Sequence, residues 1–236
     1  EIDNIPSAAA VTMPMHTNKA PYDNLDVRLA LKYACDRQEL IDKIAFGAAT
    51  MGNDVHVGPT MPYYAKLDQR PYDTDKAKFH LKKAGLSNLD VTMVTADMVY
   101  SGAVDMGVLY SEAAKPAGIN MKVDRRPNDG FWSEVWLVEP FSMAQWGARP
   151  TPDQMFTIAY KDDAPWNESF WQNERFNVLL LQAKAELNQE LRTEMYREMQ
   201  QIACDDGGTV IPFFPNNVYA RGKKVKHAEN VSGAWQ

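Results

Sequence analysis

The stretch WGARPTPDQMF, residues 146–156, brings an indole, a glycine, a guanidinium, two prolines and a carboxylate into one short span. Part of it is local structure: Thr151 reads as a helix N-cap, Pro152 as the first helical residue and Gln154 as the capping-box partner. That reading leaves Trp146, Gly147 and Arg149 unexplained. They follow the strand-like FSMAQ, so they stand at a strand's carboxyl end and ahead of a helix's free amides, where open α/β sheets place ligands. Arg149 there favours an anionic group such as a carboxylate, held by paired hydrogen bonds. Trp146 offers an aromatic wall, while Asp153 in the first helical turn competes for the helix end. The expectation is an indole and a guanidinium projecting together into an open groove.

Other chemistry is sparse. His16, His56, His80 and His227 never approach metal-ligand spacing, and no C-x-x-C or H-x-x-x-H occurs, so neither metal nor cofactor is expected. The glycine-rich loops of nucleotide sites and the G-x-S-x-G elbow are also missing. Asp162, Asp163 and Glu168 could be posed as paired carboxylates for acid and base work, although acids in YKDDAPWNES read more simply as a solvated loop. Cys35 and Cys204 are too few for a disulfide framework and fall among apolar helical residues, as buried thiols do.

The elements around these residues follow from periodicity. NLDVRLALKYACDRQELIDKIAFG gives two helical pieces, with Asp36 and Glu39 spaced as a capping box and Gly47 as a stop. MGNDVHVGPTMPYYAKLDQRPYD, rich in Gly and Pro, is expected to drape over the surface. YDTDKAKFHLKKAGL is a short helix with acids first and lysines last. The strand LDVTMVT, a helix that must end near Lys115 because of Pro116, and the alternating INMKVD then make a strand-helix-strand unit. A helix around residues 132–138 and FSMAQW continue the alternation, which predicts a mixed α/β sheet with parallel neighbours covered by helices. Long amphipathic helices with a break at Asn188, then two short strands in TVIPFFPNNVYA, complete the chain.

Composition bounds the function. The 236 residues are 45% hydrophobic and 24% charged, enough for one good-sized core or two modest ones. No apolar run is long enough to span a bilayer. A net charge of -6 argues against nucleic acid as a partner, with the run Arg221 to Lys226 read as a solvated edge. The first residues lack the pattern of a targeting peptide, and the strand-like AAAVTMPMH so near the start predicts a fragment of a longer protein.

Three stretches carry a resemblance. KAPYDNLDVRLALKYACDRQELIDKIAFGAA, YDTDKAKFHLKKAGL and RTEMYREMQQIACDDGGTVIPFF resemble the family 5 solute-binding proteins of bacterial dipeptide, oligopeptide and nickel ABC importers. The most specific is the first, P-[FY]-D-x-x-x-V-R-x-A-[IL]-x-x-A-x-D-R, and the likeness runs from about Thr12 to Asn217. It implies a periplasmic-binding-protein-like (type II) fold, of which this chain is the C-terminal lobe. The division implied is an entry strand and hinge over 1–24, the solute-binding lobe over 25–209, and strands over 210–236 that return to the other lobe. It also implies a periplasmic location, a small-molecule solute, and an ABC permease in the membrane as partner.

In dipeptide-binding relatives, an aspartate shortly after the position of Trp146 pairs with the peptide's amino terminus, and here Ala148 and Arg149 stand at that place. The relatives' carboxylate-gripping arginine falls near Asp97 or Met98, where this sequence offers an acid. The resemblance therefore implies a solute other than a plain dipeptide: an anionic or sugar-like compound, or an amino-acid conjugate held by Arg149 and Asp97. Tyr100, Trp166 and Asn167 are expected to line the same cleft. Two further readings stand beside this one, a hydrolase using Asp162 or Glu168 and an interaction domain whose apolar face meets only another protein.

Overall fold

The structure, a computed structural model, describes residues 1–225; Lys226 of the basic run and His227 lie outside the described residues. The chain begins with strands β1 (Ile2–Ile5) and β2 (Ala10–Pro14), every residue of β2 being buried. Helix α1 (Leu25–Tyr33) starts where the Asn24 side chain accepts from the Asp26 amide at 2.9 Å. Helix α2 (Arg37–Lys43) starts where Asp36 accepts from the Glu39 amide at 3.0 Å. Each cap satisfies a donor that the first helical turn leaves free.

After the short β3 (Ala49–Met51), helix α3 (Thr74–Lys83) packs on α1, with acids at its start and lysines in its last turn. Strand β4 (Leu89–Thr95), helix α4 (Ala103–Ala114) and strand β5 (Ile119–Arg125) form the expected strand-helix-strand unit, and β4 pairs in parallel with β5. A Cβ at Gly107 would come within 2.9 Å of Met93 Cε and 3.1 Å of Val123, so this glycine lets α4 lie close against the two strands. Pro116 ends α4 as expected, in one 3-10 turn.

The helix expected around residues 132–138 is only the short α5 (Phe131–Glu134), followed by turns to β6 (Ala144–Trp146). Helix α6 (Pro152–Ala159) begins at Thr151, whose hydroxyl accepts from the Gln154 amide at 3.3 Å. Helices α7 (Glu174–Ala185) and α8 (Gln189–Asp206) are broken by Asn188, which caps α8. Residues 209–220 hold three short strands rather than two: β7 (Thr209–Val210), β8 (Phe213–Pro215) and β9 (Asn217–Ala220).

Hydrogen bonds from Val94 to Phe141 and from Met143 to Val94 join β4 in parallel to the segment entering β6. Strand β6 pairs antiparallel with β2, and β2 with β7. The central sheet therefore runs β5, β4, β6, β2, β7, mixed in direction as expected. Strand β2, from the expected entry segment, lies inside this sheet, whereas β1 pairs with β9 in a separate, largely exposed ribbon.

Two main apolar clusters form. One gathers α1 to α4 against β4 and β5; the other gathers α6, α7 and α8 around Trp146 and residues 55–61. The Gly- and Pro-rich segment after Met51 does not drape over the surface: Asp54, Val55, His56, Val57 and Met61 are buried in it. Its absence of period is real, but it supplies apolar side chains to the second cluster and the acid Asp54 to the interior. Asp54 accepts from Arg37 at 2.6 Å and Arg70 at 3.0 Å, and it also takes the Ile211 amide at 3.1 Å.

Candidate functional site

Strand β6 alternates, with Ala144 and Trp146 buried and Gln145 exposed, so the register with β2 turns the Trp146 indole toward the second cluster. Trp146 is 5% exposed. Its ring stands at 6.1 Å from Trp166, 6.3 Å from Trp136 and 5.5 Å from His56, all edge to face. Trp136 in turn meets Trp166 at 6.2 Å and Trp132 at 6.0 Å. Solvent reaches the outer members, Trp132 at 42% and Trp166 at 46% exposure.

Arg149 folds back over this cluster, its guanidinium carbon 5.9 Å from the Trp146 ring centre. Arg149 Nη1 donates to the Gly147 carbonyl at 3.0 Å and the Ala148 carbonyl at 3.1 Å. Asp153 pairs with Lys184 at 3.7 Å rather than with Arg149. Indole and guanidinium thus stand together, as expected from the sequence, but the indole is covered instead of projecting. Trp136, to which the sequence reading gave no role, fills one of its flanks, and the open aromatic face belongs to Trp166 and Trp132.

Beneath the indoles lies Glu168, a buried acid with no cationic partner among the described residues. Its Oε2 accepts from Trp136 Nε1 at 2.9 Å, and Oε1 has no hydrogen-bond partner among the described residues. Burial raises the Glu168 pKa, opposed by the hydrogen bond from the Trp136 indole. His56 is equally enclosed. Its Nδ1 lies 2.6 Å from the Tyr160 hydroxyl, and burial, with Arg149 nearby, lowers its pKa to about 3, so the ring is neutral. The remaining expected acids sit apart: Asp163 is exposed beside Lys161 at 2.6 Å, and Asp162 accepts from the Asn173 amide at 3.3 Å.

The other expected residues divide. Asn167 is buried and donates to the Trp171 carbonyl at 2.7 Å, so its side chain holds the turn that presents Trp166. Asp97 and Tyr100 lie past the end of β4, at a second place on the sheet's carboxyl edge. Tyr100 is half-buried against Phe213, ring centres 5.7 Å apart. Asp97 is exposed and paired with Arg125, the last residue of β5. Trp132, Trp136, Glu168 and Arg125 had no part in the sequence reading of the binding surface. The spacing of the tryptophans in WSEVW and the acid two residues after Trp166 were the available signals.

The chain has known relatives. The sequence profile of Bacterial extracellular solute-binding proteins, family 5 Middle, matches residues 1–168. Di/tripeptide-binding protein 1 of Pseudomonas aeruginosa is 22% identical over 97% of this chain and 44% of its own length. The glutathione-binding protein GsiB of Escherichia coli O6:K15:H31 is 26% identical over 98% of this chain and 46% of its own length. Among solved structures, the periplasmic binding protein DppA of Helicobacter pylori, in complex with the peptide STSA, superposes with TM-score 0.79 at 26% identity, covering 92% of this chain and 44% of that one. NikA of Staphylococcus aureus, in complex with Ni(L-His)2, gives TM-score 0.83 at 18% identity over 99% of this chain and 51% of that one. The chain therefore spans about half the length of the relatives it matches, with the type II periplasmic-binding-protein fold, and it belongs to family 5 of the bacterial extracellular solute-binding proteins.

Proposed function

We propose that the chain is the C-terminal lobe of an extracytoplasmic, periplasmic solute-binding component of an ABC importer, which delivers a small peptide-like or other polar solute to a membrane permease. The observation that carries this reading is the carboxyl edge of the central sheet. There Trp166 presents an open indole face, Trp146 backs it, and Arg149 lies over the indoles within a chain of this family. Binding without turnover needs an aromatic, hydrogen-bonding wall and no nucleophile. The hydrolase reading lacks its pair of acids, since Glu168 is enclosed by indoles while Asp162 and Asp163 belong to a solvated loop.

Gly147 supports the same reading. A Cβ there would meet only Arg149 Nη1, at 3.5 Å, so nothing in the chain's own packing demands glycine. Close approach of a solute to the backbone is a use that glycine would serve there. The solute is not a plain dipeptide, because a cation, Arg149, stands where such a ligand's amino terminus would need an acid. In this reading β1 and β9 form the ribbon that leads to the other lobe.

The test is mass spectrometry of the solute carried through purification by the full-length protein, followed by calorimetry with that solute and with plain dipeptides. Trp166→Ala is expected to weaken solute binding about tenfold or more with little change in melting temperature, because the ring is half exposed. Tight binding of plain dipeptides by the wild type would overturn the specificity, and unchanged affinity in Trp166→Ala would overturn the site.

A further inference from the structure

Two loops meet at the open end of the indole cluster. One leads from α5 through Trp136 to β6, and the other, residues 160–173, carries Trp166 and joins α6 to α7. Each is braced on its own side. The Trp136 amide donates to the Phe131 carbonyl at 3.1 Å, while the Asn167 side chain donates to the Trp171 carbonyl at 2.7 Å and the Thr17 amide to the Ser169 carbonyl at 2.8 Å. Between the two loops, the bond from Trp136 Nε1 to Glu168 Oε2 at 2.9 Å is the one hydrogen bond among the described residues.

A carboxyl group is a poor choice for a purely structural link of this kind. A neutral amide oxygen accepts an indole N–H as well, whereas a buried acid without a cationic partner opposes folding. Residues that work against stability concentrate where a site needs them. The donor, Trp136, is also the ring that meets all three other indoles of the cluster: Trp132 at 6.0 Å, Trp166 at 6.2 Å and Trp146 at 6.3 Å. Edge-to-face rings constrain one another's tilt. Fixing the Trp136 ring through its Nε1 therefore fixes the direction in which the half-exposed Trp166 and Trp132 faces look.

We infer that Glu168 is a positioning residue of the solute wall: buried beneath the indoles, it holds the Trp136 ring and through it sets the faces of Trp166 and Trp132 against which the solute lies. The inference rests on the solute-binding reading above and deepens it, since it makes affinity depend on a side chain that does not itself touch the solute. What matters in this role is an acceptor at Oε2, not a charge. Glu168→Gln keeps that acceptor, and its new amide nitrogen has a partner in the Thr12 hydroxyl, which lies beside Glu168 and is unpaired among the described residues. Glu168→Leu removes the acceptor at similar size, and Trp136→Phe removes the donor while keeping a ring.

The test uses the full-length protein, titrated calorimetrically with a panel of tripeptides and disaccharides and with the compound it carries through purification. Glu168→Leu and Trp136→Phe are each expected to weaken binding about five- to tenfold, the effect of one lost hydrogen bond. Glu168→Gln is expected to bind as the wild type does. The double variant is expected to lose no more than either single one, because both substitutions remove the same bond. Near-ultraviolet circular dichroism of the solute-free protein is expected to change in Glu168→Leu and to be kept in Glu168→Gln. Unchanged affinity in Glu168→Leu and Trp136→Phe, a loss in Glu168→Gln as large as in Glu168→Leu, or losses that add in the double variant would each overturn the inference. If Glu168→Leu does not fold, Trp136→Phe decides by the same measure of affinity. Binding that is lost in Trp166→Ala yet untouched in Trp136→Phe would overturn this positioning role alone. A wild-type protein that binds no member of the panel and carries no compound through purification would overturn the solute-binding reading with it.

Discussion

At the scale of single residues, the candidate site is governed by what the indoles exclude. Glu168 is buried, and among the described residues only one of its oxygens finds a donor, so burial favours the protonated carboxyl. A group whose pKa is raised by folding opposes stability above its unfolded value, because the unfolded chain ionises more readily there. Glu168→Gln keeps the shape and removes the ionisation. The variant is expected to be more stable than wild type at pH 7 to 8, by about 1 kcal/mol, and to lose that advantage near pH 4, where both side chains are neutral. Urea titrations at the two pH values would show it. An equal or lower stability at pH 7 would mean that the carboxylate is held ionised by the indole donors. The same enclosure makes Trp146 a poor probe of binding, since its removal would open the second cluster, and it is why Trp166 is the informative residue.

At the scale of elements, the question is what fastens helices to the irregular segment after β3. The answer is a buried ionic cluster: Asp54 receives Arg37 from α2 and Arg70 from the same segment, while Lys32 of α1 and Arg70 both donate to the Cys204 carbonyl of α8, at 2.9 and 3.0 Å. Its cationic members are not equivalent. Removing the shared acid leaves the buried Arg37 guanidinium without a carboxylate and Arg70 with only Asp205, at 3.7 Å, so Asp54→Ala is expected to cost about 3 to 5 kcal/mol. Lys32 is fully buried, is ion-paired with no carboxylate among the described residues, and burial lowers its pKa to about 8. Below pH 8 it is charged in both states and burying that charge is unfavourable; between about 8 and 10.5 the unfolded chain holds more protons, so stability rises with pH. Lys32→Met is expected to be at least as stable as wild type at pH 7 and to flatten that rise. Chemical denaturation from pH 7 to 10 measures both, and a strongly destabilised Lys32→Met would show that its bond to the Cys204 carbonyl outweighs the desolvation.

At the scale of the whole molecule, the legible part of the sequence was whatever is written locally. The caps at Asp36 and Thr151, the break at Asn188, the Pro116 stop and the β4 to β5 alternation all depend on neighbours within a few positions, and each stands in the structure. Contacts between distant segments were not legible. Nothing in GNDVHV announces that Asp54 and His56 are interior, because their partners lie in α2, in Arg70 and at Tyr160. Likewise, Trp136 covers Trp146, and Arg125 meets Asp97, through the crossing of the sheet rather than through sequence spacing. These long-range burials set the response of the fold to acid. His16 and His56 are both buried, with pKa values lowered to about 4 and about 3 from 6.5, first by burial and then by Lys19 and Arg149 respectively. Each therefore contributes stability above pH 6.5 that is lost as the unfolded chain takes up protons at lower pH. Between pH 6 and 4.5 the two histidines together are expected to contribute up to two protons, about 2.7 kcal/mol per unit, to the slope of unfolding free energy against pH, opposed by up to one proton from Glu168, whose raised pKa keeps the folded carboxyl protonated, before the depressed carboxyls of Asp26 and Asp54 add to the slope at still lower pH. His56→Gln retains a partner for the Tyr160 hydroxyl and is expected to remove close to one proton from that slope. A slope unchanged by the substitution would place the acid sensitivity elsewhere, with His16 the next group to replace.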